Sequence, residues 1–309
     1  MPLDDADASL PSVAGLVGER DPTLHGIVIT HGHPDHVGLI GLASEAVPLV
    51  MGQATERILR AASPFLPAAG PHPRATAHLQ DRQPLVMGPF TVTPFLVDHS
   101  AFDAYAILVE AGGRRLFYTG DLRTHGRKGR VVERLISDPP ENVHVVLMEG
   151  TRIGRAHDSG LPESESRVES DALGVCRSTA GMVLAYYSVQ NIDRLVSLFR
   201  AARRSGRLFV LDLYGAAIVM ATGNPRVPQP HWPEVRVFVP TGQRVKAKRE
   251  RLFELVTAVR PARIYPEELA ARAGRLVMTF RSSMQRDLEQ ADCLSGASAI
   301  WSMWPGYLD

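Results

Sequence analysis

The chain has 309 residues, enough for two domains, each with a core of its own. Hydrophobic residues make up 45% and charged residues 22%, the composition of a folded globular chain and unlike that of a disordered or fibrous one. The 34 Lys and Arg offset the 33 Asp and Glu to a formal charge of +1, so any polyanion site must be a local patch and not a property of the whole surface.

The N-terminal stretch MPLDDADASLPSV is acidic and has neither the basic nor the apolar region of a leader, and no run approaches the roughly 18 apolar residues that a membrane helix needs. Cys176 and Cys293 lie far apart and outside any CxxC spacing, which suggests neither a disulfide framework nor a thiolate metal site. A cytoplasmic protein without membrane contact is therefore expected.

In chain order, GIVIT, TVTPFLV, AYAILVE, RRLFYTG and HVVLMEG read as strands, and an Ala-Gly-Gly between AYAILVE and RRLFYTG signals a hairpin. VGLIGLASEA and ATERILRAA place apolar residues at helical spacing. GRAHDSGLPESESRVES is polar and turn-rich, a crossing between domains or a loop at a site mouth. Beyond it come the strand GMVLAYY, the helix NIDRLVSLFRAARRSG ending near Gly206, the strand RLFVLDL, a short helix from Tyr214, the strand VRVFVP, a basic helix, the strand RLVMTF and a last apolar run. Strands alternating with helices predict βαβ units and a mainly parallel sheet. The expected domains are residues 1–155 and 156–309.

The chemistry concentrates in THGHPDHVG, Thr30 to Gly38. His31 and His33 follow directly on the run IVIT, so they sit where a strand opens into a Gly/Pro turn and can converge on one cation. Asp35 and His36, at the start of the next helix, point to a second position. A bound metal takes at least three protein ligands. Two further strand ends offer partners: His99 in FLVDHSAFDAY and Asp121 in FYTGD.

HGHPDH, DHS at His99 and TGD at Asp121, in that order, resemble the metallo-β-lactamase superfamily of binuclear metal hydrolases. The resemblance implies an αββα sandwich in which His31, His33 and His99 hold one divalent metal, Asp35 and His36 the other, and Asp121 lies between them. It further implies two ions, zinc or alternatively manganese, that lower the pKa of a bridging water. Asp35 would orient the resulting hydroxide, making Asp35 and Asp121 catalytic.

LMEGT, followed by Ser188–Tyr214, resembles the β-CASP branch, in which an α/β domain is inserted into the hydrolase fold and most members cut RNA or DNA. Ribonuclease J belongs to that branch. Glu149 matches its first acidic motif and would be catalytic. Ser188, Asn191 and Arg194 form an S-x-x-N-x-x-R pattern similar to a segment lying against substrate phosphate. A hydroxyl and an amide at a helix start add donors to its free N–H groups, and an arginine one turn on can fork onto phosphate oxygens. Helix capping by Ser188 or Asn191 is the plainer alternative. FRSSM repeats the theme, with Arg281, Ser282 and Ser283 able to bind phosphate. The basic stretch Arg244–Arg251 is a solvated helix face or a source of sequence-independent phosphate attraction. Tyr186, Tyr187 and Tyr214 suit apolar packing better than base stacking.

Members of this branch begin with a hairpin ahead of the HxHxDH strand and return after the inserted domain with two further histidine motifs. Here about 25 residues precede the strand and no histidine follows His231. The resemblance therefore implies an incomplete sandwich and a weaker second metal site, with His125 or His157 as replacement ligands, and a sheet that a second copy or partner would cover. The leading expectation is RNA phosphodiester cleavage by a metal-activated hydroxide. The alternatives are hydrolysis of a small ester or phosphodiester, and a catalytically weakened paralogue that binds RNA or a partner.

Overall fold

The computed structural model describes residues 10–19, 21–66, 73–150 and 164–303. They fall into two compact units, Met1–Ser63 with Pro67–Leu161 and Pro64–Leu66 with Pro162–Asp309. The domain boundary expected after residue 155 lies outside the described residues, as does His157.

In the first unit, β1 (Ile27–Val28), β2 (Leu49–Gly52) and β3 (Ala77–Leu79) form a parallel sheet in the order β1-β2-β3. Helices α1 (Pro34–Val37) and α2 (Gln53–Ala62) connect its strands, and Val37 and Leu59 pack with Ile29, Leu49 and Met51 on one face. A second sheet has the order β4-β5-β6-β7-β8, from β4 (Leu85–Met87), β5 (Phe90–Leu96), β6 (Tyr105–Ala111), β7 (Arg114–Tyr118) and β8 (Val145–Leu147). Val50 and Leu79 of the first sheet share a core with Met87, Val92 and Ile107 of the second. On the far side of the second sheet, Leu135 of α3 (Gly129–Ser137) packs on Phe95, Leu108 and Phe117. The layers are thus helix, sheet, sheet, helix: the αββα sandwich.

The hairpin turn between β6 and β7 is Gly112-Gly113, at φ of 54° and 72°, the left-handed pair that a tight two-residue turn requires and that side-chain-bearing residues rarely adopt. Strand direction then places the chemistry. β5 and β7 both run antiparallel to β6, and β8 runs parallel to β7, so the C-terminal ends of β5, β7 and β8 share one edge of the sheet. His99, Asp121 and Glu149 each follow one of those ends. The exit of β1 is tied to the same edge by the Tyr105 N–H, which donates to the Thr30 carbonyl at 3.0 Å.

The second unit carries α4 (Glu165–Ser178), β9 (Val183–Tyr186), α5 (Ile192–Arg204), β10 (Leu208–Asp212), α6 (Leu213–Ala221), β11 (Val235–Phe238), α7 (Thr241–Arg249), α8 (Phe253–Ala258), α9 (Pro266–Arg272), β12 (Leu276–Thr279), α10 (Gln285–Gln290) and β13 (Ser298–Trp301). Its sheet is wholly parallel, in the order β11-β10-β12-β9-β13. Neighbours β10 and β12 send their chains in opposite directions, to β11 and to β13, so the topological switch point of the sheet falls at their C-terminal ends, where Asp212 and Arg281 lie.

Two expectations are corrected. VGLIGLASEA forms only a 3₁₀ turn, Ile40–Leu42, because Gly38 and Gly41 each cost an α-helix about 1 kcal/mol and Pro48 follows closely. The end of the polar stretch is no loop: Ser164 caps α4 by accepting from the Arg167 N–H, and Val168, Ala172, Leu173 and Cys176 make its buried stripe. Both cysteines are free and buried. No helix among the described residues is long and apolar enough to cross a membrane.

One cap acts across the fold. Gly52 at the N-cap of α2 has no side chain, and Asp103 takes its place, accepting from the N–H groups of Ala54 (2.8 Å) and Thr55 (3.1 Å) and from the Tyr105 hydroxyl (2.8 Å). Asp103→Ala is expected to lower the unfolding free energy by about 1–2 kcal/mol, the usual worth of a lost N-cap, as read from urea midpoints; an unchanged midpoint would show that α2 needs no such cap.

Candidate metal centre

His31 emerges from β1 fully buried, and His33 occupies the N-cap position of α1, whose first residue, Pro34, needs no N–H partner. Asp35 and His36 sit within that one-turn helix. With His99 and Asp121 brought to the same edge, one nitrogen or oxygen from each of His31, His33, His99 and Asp121 lies within 4.8 Å of the others. Asp35, His36 and Asp121 make a second such group, so Asp121 belongs to both. Its Oδ2 is 3.8 Å from His31 Nε2 and from His99 Nε2, and its Oδ1 is 3.4 Å from His36 Nε2. His99 Nε2 lies 2.9 Å from His33 Nδ1, and Ser100 Oγ 3.3 Å from His33 Nε2.

The donor set fits a divalent cation. His31 Nε2 is buried and has no hydrogen-bond partner, an orphaned lone pair or N–H that costs roughly 1–3 kcal/mol unless something binds it. Burial, reinforced by the neighbouring imidazoles, holds His31 down to about 3 and His99 to about 2, and burial likewise lowers His33. These rings are neutral at pH 7, the form in which imidazole is a ligand. Asp121 is pushed up by burial, pulled back by His36 and pushed up again by Glu149 and Asp35, a crowding of carboxylates that a cation would relieve. Asp35 is the most open member, with its side chain 75% exposed.

Glu149 lies in neither group. Its Oε1 accepts from the Leu122 N–H at 3.0 Å, and its own N–H donates to Thr119 Oγ1 at 3.3 Å, so it braces the loop that presents Asp121. His125 also joins neither group.

Sequence reading missed a second brace. Asp98, fully buried beside His99, pairs with Arg123 two residues beyond Asp121: Arg123 Nε to Asp98 Oδ1 is 3.3 Å, and the Arg123 N–H donates to the Asp98 carbonyl at 2.7 Å. Gly126 closes over this pair, where a Cβ would stand 2.3 Å from Asp98 Oδ1. Lys128 Nζ donates to the His99 carbonyl at 3.3 Å. The available signal was an aspartate inside the otherwise apolar strand end FLVDHS.

In the second unit, Ser188 is exposed ahead of α5, and Asn191 caps that helix by accepting from the Arg194 N–H at 3.1 Å. Arg194 pairs with buried Glu165, Nη2 to Oε1 at 3.2 Å, and donates to Ser302. Arg281 Nε donates to buried Asp212 at 2.5 Å, its guanidinium lies 4.8 Å from the Tyr214 ring centroid, and its buried Nη2 has no hydrogen-bond partner. Ser282 begins a 3₁₀ turn directly after Arg281. The tyrosines pack internally: Tyr186 stacks on Trp301, Tyr187 is buried, and Tyr214 stacks on Phe65.

Residues 9–160 match the β-lactamase superfamily domain. The chain is 25% identical to ribonuclease J of Mycoplasma genitalium over 65% of its own length and 36% of that protein's, and 27% identical to ribonuclease J of Mycobacterium tuberculosis over 62% and 34%. It thus spans about a third of the length of the curated relatives it matches. A crystal structure of an Enterococcus faecalis protein of unknown function aligns with 90% of this chain and 69% of its own at TM-score 0.68 and 18% identity, a likeness of fold.

Two outcomes are expected. Metal-free protein loses stability as pH falls below about 6.5, where the unfolded chain takes up protons that buried His31 and His99 refuse until about 3 and 2. Above that pH both states hold neutral rings and the two histidines contribute no slope. Urea midpoints between pH 7.5 and 5 should therefore fall more steeply for the wild type than for His31→Asn/His99→Asn; equal slopes would refute the desolvated site. Asp98→Asn should weaken zinc binding about tenfold in calorimetry by freeing the His99 and Asp121 loops, and wild-type affinity would show that the brace is idle.

Proposed function

Because the chain belongs to the metallo-β-lactamase superfamily, we propose that it is a metal-dependent hydrolase that cleaves phosphodiester bonds of RNA. The observation that carries the metal chemistry is the convergence of His31, His33, His99 and Asp121 on one point, with His31 Nε2 buried and unpartnered there. Similarity to ribonuclease J supports RNA as the substrate.

His31, His33, His99 and Asp121 would hold one ion, and Asp35, His36 and Asp121 the other. Zinc suits the imidazole-rich first group, and manganese remains compatible with the oxygen-rich second. When bound, such ions supply an activated water and positive charge beside the scissile phosphate. The protein's own groups do the rest. Neutral, desolvated imidazoles offer their lone pairs without first losing a proton. Asp121 presents one carboxylate oxygen to each group, which fixes their separation. Asp35, open to solvent, would accept a proton from the attacking water and pass it out. Glu149 acts by holding the Asp121 loop, through the Leu122 N–H.

On the second unit, Arg281 is the strongest phosphate ligand of the proposed set, because Asp212 fixes its Nε while 27% of its side chain stays open to solvent. Ser282 lies next to it, and exposed Ser188 lies ahead of the α5 N-terminus. Asn191 and Arg194 serve mainly to hold that helix start, since the one caps it and the other is paired with Glu165.

Purified chain with zinc or manganese should cleave a labelled single-stranded RNA, chelator should abolish the cleavage, and Asp35→Asn should slow it by about 100-fold or more. RNA left intact by fully metallated protein would refute the assignment. Turnover of a small chromogenic phosphodiester that Arg281→Ala leaves unchanged would move the substrate to a small molecule.

A further inference from the structure

The nine residues of α7 contain Arg244, Lys246, Lys248 and Arg249 and no acid, within a chain whose formal charge is +1. At 100° per residue, Arg244, Val245, Lys248 and Arg249 fall within an arc of about 140°. All four are exposed, while Ala247 on the opposite side is buried in the core beneath and Lys246 turns away to donate to the Leu66 carbonyl. The helix dipole accounts for Lys248 and Arg249 in the last turn. It does not account for Arg244, which stands in the first half, where a cation is disfavoured; Arg244 donates to Thr241 Oγ1, and Asp287 accepts from the Thr241 N–H.

The end of the helix adds an independent observation. Arg251 sits at φ 55°, the left-handed position after a helix where glycine or asparagine fits without strain and a long side chain is unusual. The Leu252 N–H closes the turn onto the Ala247 carbonyl at 2.8 Å. An exposed arginine is thus held at a strained turn, and two residues later Phe253 is 59% exposed. Cations spaced along a helix with an aromatic ring at its end match a single strand of nucleic acid: charge for the phosphates and a flat face for a base. The acidic neighbours are Asp287, which accepts from Thr241 beside Arg244, Glu250, which pairs with Arg249 at 2.8 Å, and Glu254, exposed one residue past Phe253.

We propose that the solvent face of α7, with Arg244, Lys248, Arg251 and Phe253, binds the sugar-phosphate backbone and one base of single-stranded RNA without sequence preference. This rests on the RNA reading above and adds a surface remote in sequence from every metal ligand. Fluorescence anisotropy of a labelled 20-nucleotide oligo(U), with the full chain in excess chelator so that the strand stays intact, provides the test. Arg244→Gln/Lys248→Gln should bind roughly tenfold more weakly at about 0.15 M salt, with a log–log salt slope shallower by about 1.4. Phe253→Ala should lose roughly fivefold without changing that slope. Arg251→Gly should show effects of opposite sign, a higher melting temperature from relief of strain and weaker RNA binding; a purely structural role would give only the first. Arg203→Gln/Arg204→Gln on α5, where the cations are already paired with Glu234 and Glu169, removes the same charge and should change binding little. Wild-type affinity in Arg244→Gln/Lys248→Gln, or an equal loss in the α5 control, would overturn this surface and leave the proposed hydrolase untouched. Failure of the wild type to bind oligo(U), with or without binding to phosphatidylserine vesicles, would overturn both this surface and RNA as the substrate.

Discussion

Burying neutral imidazoles against a carboxylate is costly, and much of the first unit is arranged to bear that cost at one place. His31 Nε2 is buried without a hydrogen-bond partner, and its neighbours His33, His36 and His99 lie with ring centroids 4.0–4.8 Å away. Such a cluster separates unless its backbones are fixed independently. Parallel alignment of β5 with β7 fixes two of them, the Tyr105–Thr30 hydrogen bond fixes the exit of β1, and Asp98–Arg123 joins the His99 and Asp121 loops. The sandwich is in this sense a scaffold for bringing strand ends together, and the desolvation that makes the site expensive also keeps its nitrogens unprotonated.

The second unit uses its charges differently. Glu165 and Asp212 are buried carboxylates, and each takes an arginine: Arg194 at the start of α5 and Arg281 after β12. Both pairs stand at C-terminal ends of a parallel sheet, where the loops of such folds present ligand-binding groups. Only the Arg281 pair leaves a buried nitrogen without a partner. Arg244, Lys248 and Arg249 on α7 are of a third kind, solvent-facing and backed by a core of Val237, Ala247 and Val259, so they shape the surface potential and not the packing.

Much of this was legible in the sequence because metal-ligand chemistry is local. Four residues of metal-ligand type within six positions follow a strand, His99 and Asp121 sit directly after two more strands, and the family resemblance joined these strand ends into one expected site. Four of the five parallel strands of the second unit were likewise readable from apolar runs alternating with helices, and β13 was visible only as an apolar run. Less local features stayed hidden. Asp98 and Arg123 are 25 positions apart and Glu165 and Arg194 are 29 apart, and no periodicity announces either pair. The α4 helix was masked by its Glu, Ser and Arg content, because its apolar stripe is narrow. VGLIGLASEA misled in the other direction, since apolar spacing outweighed the two glycines that break it.

The chemistry proposed for this chain depends on whether the imidazole–carboxylate cluster is a metal centre. Native mass spectrometry of the full chain titrated with zinc reads this directly, as ions bound per chain. The expected result is one tightly held ion followed by a weaker second, with the first lost in His31→Asn/His99→Asn and the second in Asp35→Asn/His36→Asn. Wild-type protein that retains no more zinc than the double histidine variant would contradict it.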